Sequence, residues 1–117
     1  MKILIILNDA PYGTERSYNA LRIAQSLIKH HHSEVTLFLM ADAVACARRG
    51  HKPPTGYYNI ELMLKAVLRE TNNHLLLCGT CMDARGVTVE DLIEGAQRSD
   101  METLSGAICD ADKVLVY

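Results

Sequence analysis

The chain contains several short runs in which nearly every residue is apolar. Four of these runs lie at residues 3–7, 34–40, 75–77 and 114–117. Apolar runs of this length without polar alternation are typical of parallel strands that are covered on both faces. Residues 96–99 form a fifth and weaker extended segment, so the sequence predicts a sheet of about five strands.

Apolar residues at helical spacing separate these runs. The first helix is predicted to start at Thr14, an acceptable cap, and to end near the three histidines at 30–32. A helical turn rich in small residues is predicted at 41–47, before a basic loop. Asn59 is a good cap for a second helix, which runs to Leu68 and precedes the strand at 75–77.

Two further helices are predicted in the last third of the chain. Thr88 and Asp91 resemble a capping box that opens a short helix carrying Leu92 and Ile93. Asp100 caps a last helix, which precedes the final strand. Strands that alternate with helices form right-handed βαβ units, so the expected architecture is a three-layer α/β/α sandwich around a mainly parallel sheet.

Composition narrows the class of protein. The 117 residues are 49% hydrophobic and 22% charged, with a net charge of −2. These values predict one globular domain over residues 1–117, and they give no sign of nucleic-acid or membrane binding. Four cysteines without a signal peptide favour reduced thiols and a cytoplasmic location. The loop at 8–13 lacks the glycine motifs of nucleotide-binding loops, so no cofactor is expected.

The segment Cys78-Gly79-Thr80-Cys81 follows the third strand and carries the candidate chemistry. A dithiol redox site would lie at the start of a long helix, whereas the nearest predicted helix starts at Thr88. A structural zinc site would need further ligands at suitable spacing, and these are missing. A single persulfide-carrying thiol with Arg85 nearby, and a buried cysteine without a chemical role, are both compatible with the pattern.

Four segments, taken in order, resemble the DsrE/DsrF-like family and in particular its small YchN-type members. They lie at residues 8–13, at 37–44, at 49–53 with 56–60, and at 78–86. The resemblance covers nearly the whole chain. It implies an α/β/α sandwich with a mainly parallel five-stranded sheet, and a homo-oligomer that is commonly a hexamer built as a trimer of dimers.

The resemblance also implies a site. In the sulfur-relay relatives, the cysteine at the end of the third strand precedes the glycine of an Arg-Gly pair by eight residues and carries sulfur as persulfide, and Cys78 matches this placement. Cys81 matches an additional cysteine of the YchN-type members. The supporting residues expected from the matching segments are Arg85, Gly86, Asp83, Asn8 and Tyr12.

The leading hypothesis is a sulfur carrier of the sulfurtransferase type. Cys78 would accept sulfane sulfur from a donor protein and pass it to an acceptor thiol, and Cys81 would release the sulfur by forming a disulfide. One alternative is a non-enzymatic oligomer that binds a small anion through Arg48, Arg49 and Lys52. Another alternative is a redox protein that uses Cys78 and Cys81 as a dithiol.

Overall fold

The computed structural model describes all residues from 1 to 117. Five strands alternate with four α-helices and two 3₁₀-helices. The strands are β1 (Lys2–Leu7), β2 (Glu34–Leu39), β3 (His74–Cys78), β4 (Ala96–Ser99) and β5 (Lys113–Val116). The α-helices are α1 (Arg16–His31), α2 (Ile60–Val67), α3 (Gly79–Ala84) and α4 (Met101–Asp110). The 3₁₀-helices span Ala41–Ala47 and Val89–Asp91.

The five strands form one sheet in the order β4-β3-β2-β1-β5, and every neighbouring pair is parallel. The predicted strand content is confirmed, and the sheet is wholly rather than mainly parallel. The carboxyl ends of parallel strands meet at one edge, which is where open α/β sheets place their functional groups. The segments that follow β1, β2, β3 and β4 therefore meet at that edge.

The two faces of the sheet are covered unequally. Alternate residues of β1, beginning with Ile3, belong to a large core cluster of 22 buried residues that includes side chains of α1 and α2. Leu4 and Ile6 instead belong to a cluster of five buried residues that includes Leu104 of α4. The α/β/α layering is confirmed, and one face is covered by a single ten-residue α-helix.

Several predicted helix boundaries agree with the structure. Asn59 accepts a hydrogen bond from the Leu62 amide, and Asp100 accepts one from the Thr103 amide, as expected for N-caps. The capping box between Thr88 and Asp91 is also present, but its 3₁₀-helix ends at Asp91. Leu92 and Ile93, which were assigned to that helix, follow it and are buried.

Two predictions about helix starts are wrong. Thr14 does not cap α1, because its hydroxyl donates to Asp9 and the helix begins at Arg16. The segment after Cys78 is not a loop that continues to Thr88, since α3 begins immediately at Gly79. Buried Met82 anchors this short helix in the large core cluster. None of the helices has the length and apolar character needed to cross a membrane.

Candidate functional site

Cys78 is the last residue of β3, at the carboxyl edge of the sheet. Its side chain packs in the smaller core cluster with Phe38 and Leu104, on the face that α4 covers. Only 8% of the residue is exposed. Cys78 nevertheless lines a half-open cleft of about 460 Å³, together with Gly79, Thr80, Arg98, Ser99, Asp100 and Met101. The Cys78 side chain is therefore packed against the core on one side and borders the open cleft on the other.

The Cys78 sulfur is surrounded by hydrogen-bond donors. It takes the N-cap position of α3, where the Cys81 backbone N–H donates to Sγ at 3.3 Å. The Thr80 hydroxyl lies 3.3 Å from the same sulfur and can donate to it when the sulfur is a thiolate. Burial raises the pKa of Cys78, but hydrogen bonds from Cys81 and Thr80 outweigh burial and hold the pKa below its ordinary value.

Cys81 is partly buried beside Cys78 and has the opposite tendency. Burial and the hydrogen bond to Cys78 raise the pKa of Cys81. The Ala41 backbone amide and the Arg85 guanidinium act against this rise. Ala41 has a φ of 49°, a left-handed conformation that is uncommon for a residue with a side chain. Of the two thiols, Cys78 is therefore the one on which negative charge is favoured.

Arg85 lies beside Cys81 and not, as expected from the sequence, in a position to support Cys78. Its Nη1 donates to the Cys81 carbonyl at 3.1 Å, and its Nε pairs with Asp42 at 3.0 Å. Gly86 follows in a left-handed conformation with φ of 64°, which favours glycine where α3 ends. Arg85 and Gly86 thus lie at the end of α3, and the ion pair with Asp42 connects α3 to the 3₁₀-helix at Ala41–Ala47.

Arg98 is a cleft residue that the sequence analysis missed. Both terminal nitrogens of its guanidinium donate to the Asp83 carboxylate at 2.8 Å. The guanidinium also lies directly over Gly79, where an added Cβ would come within 2.8 Å of Arg98 Cζ. Arg98 is on β4 and becomes a neighbour of Cys78 only through the pairing of β3 with β4.

Asn8 and Tyr12 have hydrogen bonds away from the thiols. Asn8 uses its backbone and side-chain N–H groups to hold the Tyr117 carbonyl. The Tyr12 hydroxyl accepts from the Ile60 amide and lies 2.9 Å from His51 Nδ1. These contacts tie loops together, so neither residue joins the cleft described here.

The remaining cysteines differ strongly in environment. Cys46 is fully buried, with Sγ 3.8 Å from both the Ser17 hydroxyl and the Asp9 carbonyl. Burial raises the pKa of Cys46 to about 12, which fits its expected packing role. Cys109 is exposed on α4. Neither thiol has the set of donors that surrounds Cys78.

The basic loop is occupied by contacts within the protein. The Arg49 guanidinium donates to the Glu90 carbonyl, and its backbone N–H donates to the Asp91 carbonyl. Arg48 forms an antiparallel bridge with Leu92. The loop is therefore attached to the second 3₁₀-helix, and the Arg49 guanidinium is already bonded within the protein, which does not favour Arg49 as part of an anion site.

We expect iodoacetamide to modify Cys78 at a lower pH than Cys81. Only the thiolate reacts, and the pKa of Cys78 lies below its ordinary value whereas that of Cys81 lies above it. Thr80→Val removes one hydroxyl donor, so it should raise the pKa of Cys78 and slow its modification at neutral pH several-fold. Peptide mass spectrometry across a pH series measures both effects, and coincident profiles for the two cysteines would contradict them.

Comparison with known proteins places the chain among proteins of the same architecture. The family model described as "DsrE/DsrF-like family" matches residues 1–117. Protein YchN of Escherichia coli K12 is 42% identical over 117 residues, covering 99% of this chain and 98% of that protein. Its crystal structure superimposes with a TM-score of 0.90, covering 99% of this chain and 98% of that one.

Two more distant similarities extend the comparison. A protein of unknown function from Methanobacterium thermoautotrophicum shares the fold, with a TM-score of 0.75 at 13% identity, covering 99% of this chain and 97% of that one. A protein named as a sulfurtransferase TusD homolog, from Vibrio parahaemolyticus, is 22% identical over 124 residues, covering 97% of this chain and 95% of that protein.

Proposed function

We propose, from the premise that this chain belongs to the DsrE/DsrF-like family, that it is a sulfur carrier which holds sulfane sulfur as a persulfide on Cys78. The observation that carries the proposal is the set of donors around the Cys78 sulfur, at the base of a cleft. The similarity to a protein named as a sulfurtransferase TusD homolog supports the same reaction class.

Loading requires a thiolate that can attack another sulfur. The Cys78 thiolate attacks the outer sulfur of a donor persulfide, a new S–S bond forms, and the donor leaves as its thiol. The hydrogen bonds from Cys81 and Thr80 favour the thiolate before attack. An acceptor thiolate then attacks the outer sulfur on Cys78, and the Cys78 thiolate is regenerated as the leaving group.

The cleft is large enough to admit a cysteine of another protein or a small thiol compound. A volume of about 460 Å³ accommodates the end of a cysteine side chain or a small persulfide, and the Arg98 guanidinium, paired with Asp83, lies at the rim. The protein needs no cofactor for this chemistry, because the thiol supplies both the nucleophile and the leaving group. Its thiols are unpaired, so we place the function in the reducing cytoplasm.

Intact-protein mass spectrometry tests the carrier function directly. The reduced protein is incubated without oxygen with inorganic polysulfide and then desalted. Immediately after desalting, we expect the intact mass to rise by one sulfur atom, and fragmentation of the peptide that contains Cys78 and Cys81 should locate that atom on Cys78. If sulfur adds to no cysteine, the carrier function is wrong and a ligand-binding oligomer becomes the better interpretation.

A dithiol redox function is the second candidate, and one observation favours it. Because α3 begins directly after Cys78, Cys78 and Cys81 lie at the start of a helix, as dithiols do in redox proteins. A redox dithiol would exchange electrons with a partner disulfide without taking up sulfur. A Cys78–Cys81 disulfide that forms on equilibration with reduced and oxidised glutathione, together with no sulfur uptake from polysulfide, would favour this function over the carrier.

We also propose that the chain forms a homo-oligomer, with a trimer of dimers as the expected assembly. By register, Val114 and Val116 of β5 lie on the same face as Leu4 and Ile6, which α4 covers only in part. Val116 is 65% exposed, and Met101 at the rim of the cleft is 62% exposed. A second copy that docks on this face would bury the side chains of Val116 and Met101 and form one wall of the cleft.

Replacing Val116 with glutamate should reduce the oligomer to smaller species. A charge on the apolar face must be desolvated when a second copy docks, and this cost weakens association. Light scattering after size exclusion measures the change, and Leu62→Glu is the matched control because Leu62 is 58% exposed on α2. A monomeric wild type would exclude the oligomer, and an unaffected Val116→Glu variant would exclude this face.

A further inference from the structure

Cys81 has polar neighbours of its own, separate from those of Cys78. Burial and the hydrogen bond with Cys78 raise the pKa of Cys81, and the Ala41 amide and the Arg85 guanidinium oppose that rise. Arg85 is held there by its bonds to the Cys81 carbonyl and to Asp42.

The two sides of the Cys78 sulfur are chemically different. On the protein side lies Cys81, whose backbone N–H donates to Cys78 Sγ at 3.3 Å. On the other side lies the cleft, lined by Thr80, Arg98 and Ser99. A sulfur delivered through the cleft becomes the outer atom of the persulfide. The inner atom, Cys78 Sγ, remains in contact with Cys81.

We infer that Cys81 is a resolving thiol, which discharges the Cys78 persulfide as hydrosulfide when no acceptor thiol enters the cleft. This inference rests on the proposed carrier function and assigns a role to the second cysteine. The acceptor thiol and Cys81 attack different atoms of the same persulfide. The acceptor attacks the outer sulfur and takes it away, whereas Cys81 attacks the inner sulfur and expels the outer one.

The discharge step balances without an external oxidant. The Cys81 sulfur bonds to Cys78 Sγ, the bond between the inner and outer sulfurs breaks, and the Cys81 proton moves to the departing sulfur. The persulfide anion and one thiol thus give a disulfide and hydrosulfide. The outer sulfur is reduced by two electrons, and the two cysteine sulfurs are each oxidised by one. An external dithiol reductant then reopens the disulfide for the next cycle.

The arrangement of charges explains why discharge follows loading. Before loading, Cys78 is the thiol on which negative charge is favoured, because its pKa lies below the ordinary value and that of Cys81 lies above it. After loading, the charge moves to the outer sulfur in the cleft. Cys78 Sγ is then bonded to a second sulfur that can leave, while Cys81 remains beside it, with its backbone N–H 3.3 Å from Cys78 Sγ. The same pair of side chains therefore changes roles when sulfur arrives.

The experiment follows the loaded protein after the donor has been removed. Wild type and Cys81→Ser are loaded with inorganic polysulfide without oxygen, desalted, and sampled over time for intact mass and released sulfide. Cys81→Ala is included as a second variant that lacks the thiol. Cys109→Ser is the matched control, since it removes an exposed thiol that lies on α4.

We expect wild type and Cys109→Ser to lose the added sulfur and to end two hydrogen atoms lighter than the reduced protein, with one sulfide released per chain. The Cys81 variants should keep the persulfide at least about tenfold longer, because no acceptor thiol is present and they lack the neighbouring thiol that displaces the outer sulfur. Equal persistence in wild type and the Cys81 variants overturns the resolving role while the carrier function stands. Failure of wild type and both Cys81 variants to take up sulfur overturns both.

Discussion

Cys78→Ser is expected to reduce sulfur loading to background. A serine hydroxyl stays protonated at neutral pH and cannot form a persulfide, whereas the Cys78 thiolate is favoured by the donors around it. The substitution is small, and the Cys81 amide can still donate to a serine oxygen in the N-cap position. We expect the fold to survive, at a cost of at most about 2 kcal/mol for the buried hydroxyl. Intact mass after polysulfide treatment measures the loss.

A control variant shows whether the loss of sulfur loading is specific to Cys78 or follows the removal of any thiol. Cys109→Ser removes the exposed thiol of α4 and should load like wild type. Cys46 should stay unmodified in both variants because burial raises its pKa to about 12. If Cys78→Ser still takes up a full equivalent of sulfur, the nucleophile is another cysteine and the assignment of the site is wrong.

Phe38→Ala should have the largest effect on stability. Phe38 is 1% exposed and lies on β2 between Ile6 and Leu76, its partners in the sheet register. It belongs to the five-residue cluster that supports Cys78. Removing a buried aromatic ring typically costs about 3–5 kcal/mol, against a total stability of about 5–15 kcal/mol for most domains. The free energy of unfolding in urea measures the change.

Two comparison variants show whether the loss of stability comes from the cavity that the Phe38 ring leaves. Phe38→Leu fills most of the space and should lose clearly less than Phe38→Ala. Leu62→Ala, at an exposed position of α2, should stay within about 0.5 kcal/mol of wild type. A loss below about 1 kcal/mol for Phe38→Ala would mean that the cluster below Cys78 contributes little to the fold.

The strands and the position of the main thiol could be predicted because both depend on local pattern. Continuous apolar runs such as residues 3–7 are needed only where both faces of a strand are covered, and β1 meets this condition. A cysteine directly after such a run must lie at the carboxyl edge of a parallel sheet, as Cys78 does. Caps such as Asn59 also act within a few residues of the chain.

The parts of the site that could not be predicted depend on neighbours far apart in the chain. Arg98 reaches the cleft only because β4 pairs with β3, and Ala41 reaches Cys81 only because β2 lies beside β3. The helix α3 was missed for a different reason. It begins with Gly79, a poor helix former, and it is held by one buried side chain, Met82, too little for a periodic pattern.

The strand order has a consequence for how the chain folds. β1 is made first and pairs with β2, which follows it in sequence, but its other edge pairs with β5, the last strand. Contacts here, such as Lys2 with Asp112, span 110 residues. During synthesis, β1 therefore exposes an unpaired edge until nearly the whole chain has emerged, and such an edge is a template for pairing with other nascent chains. Slow completion of the sheet, and aggregation of chains that stop before β5, are the expected results.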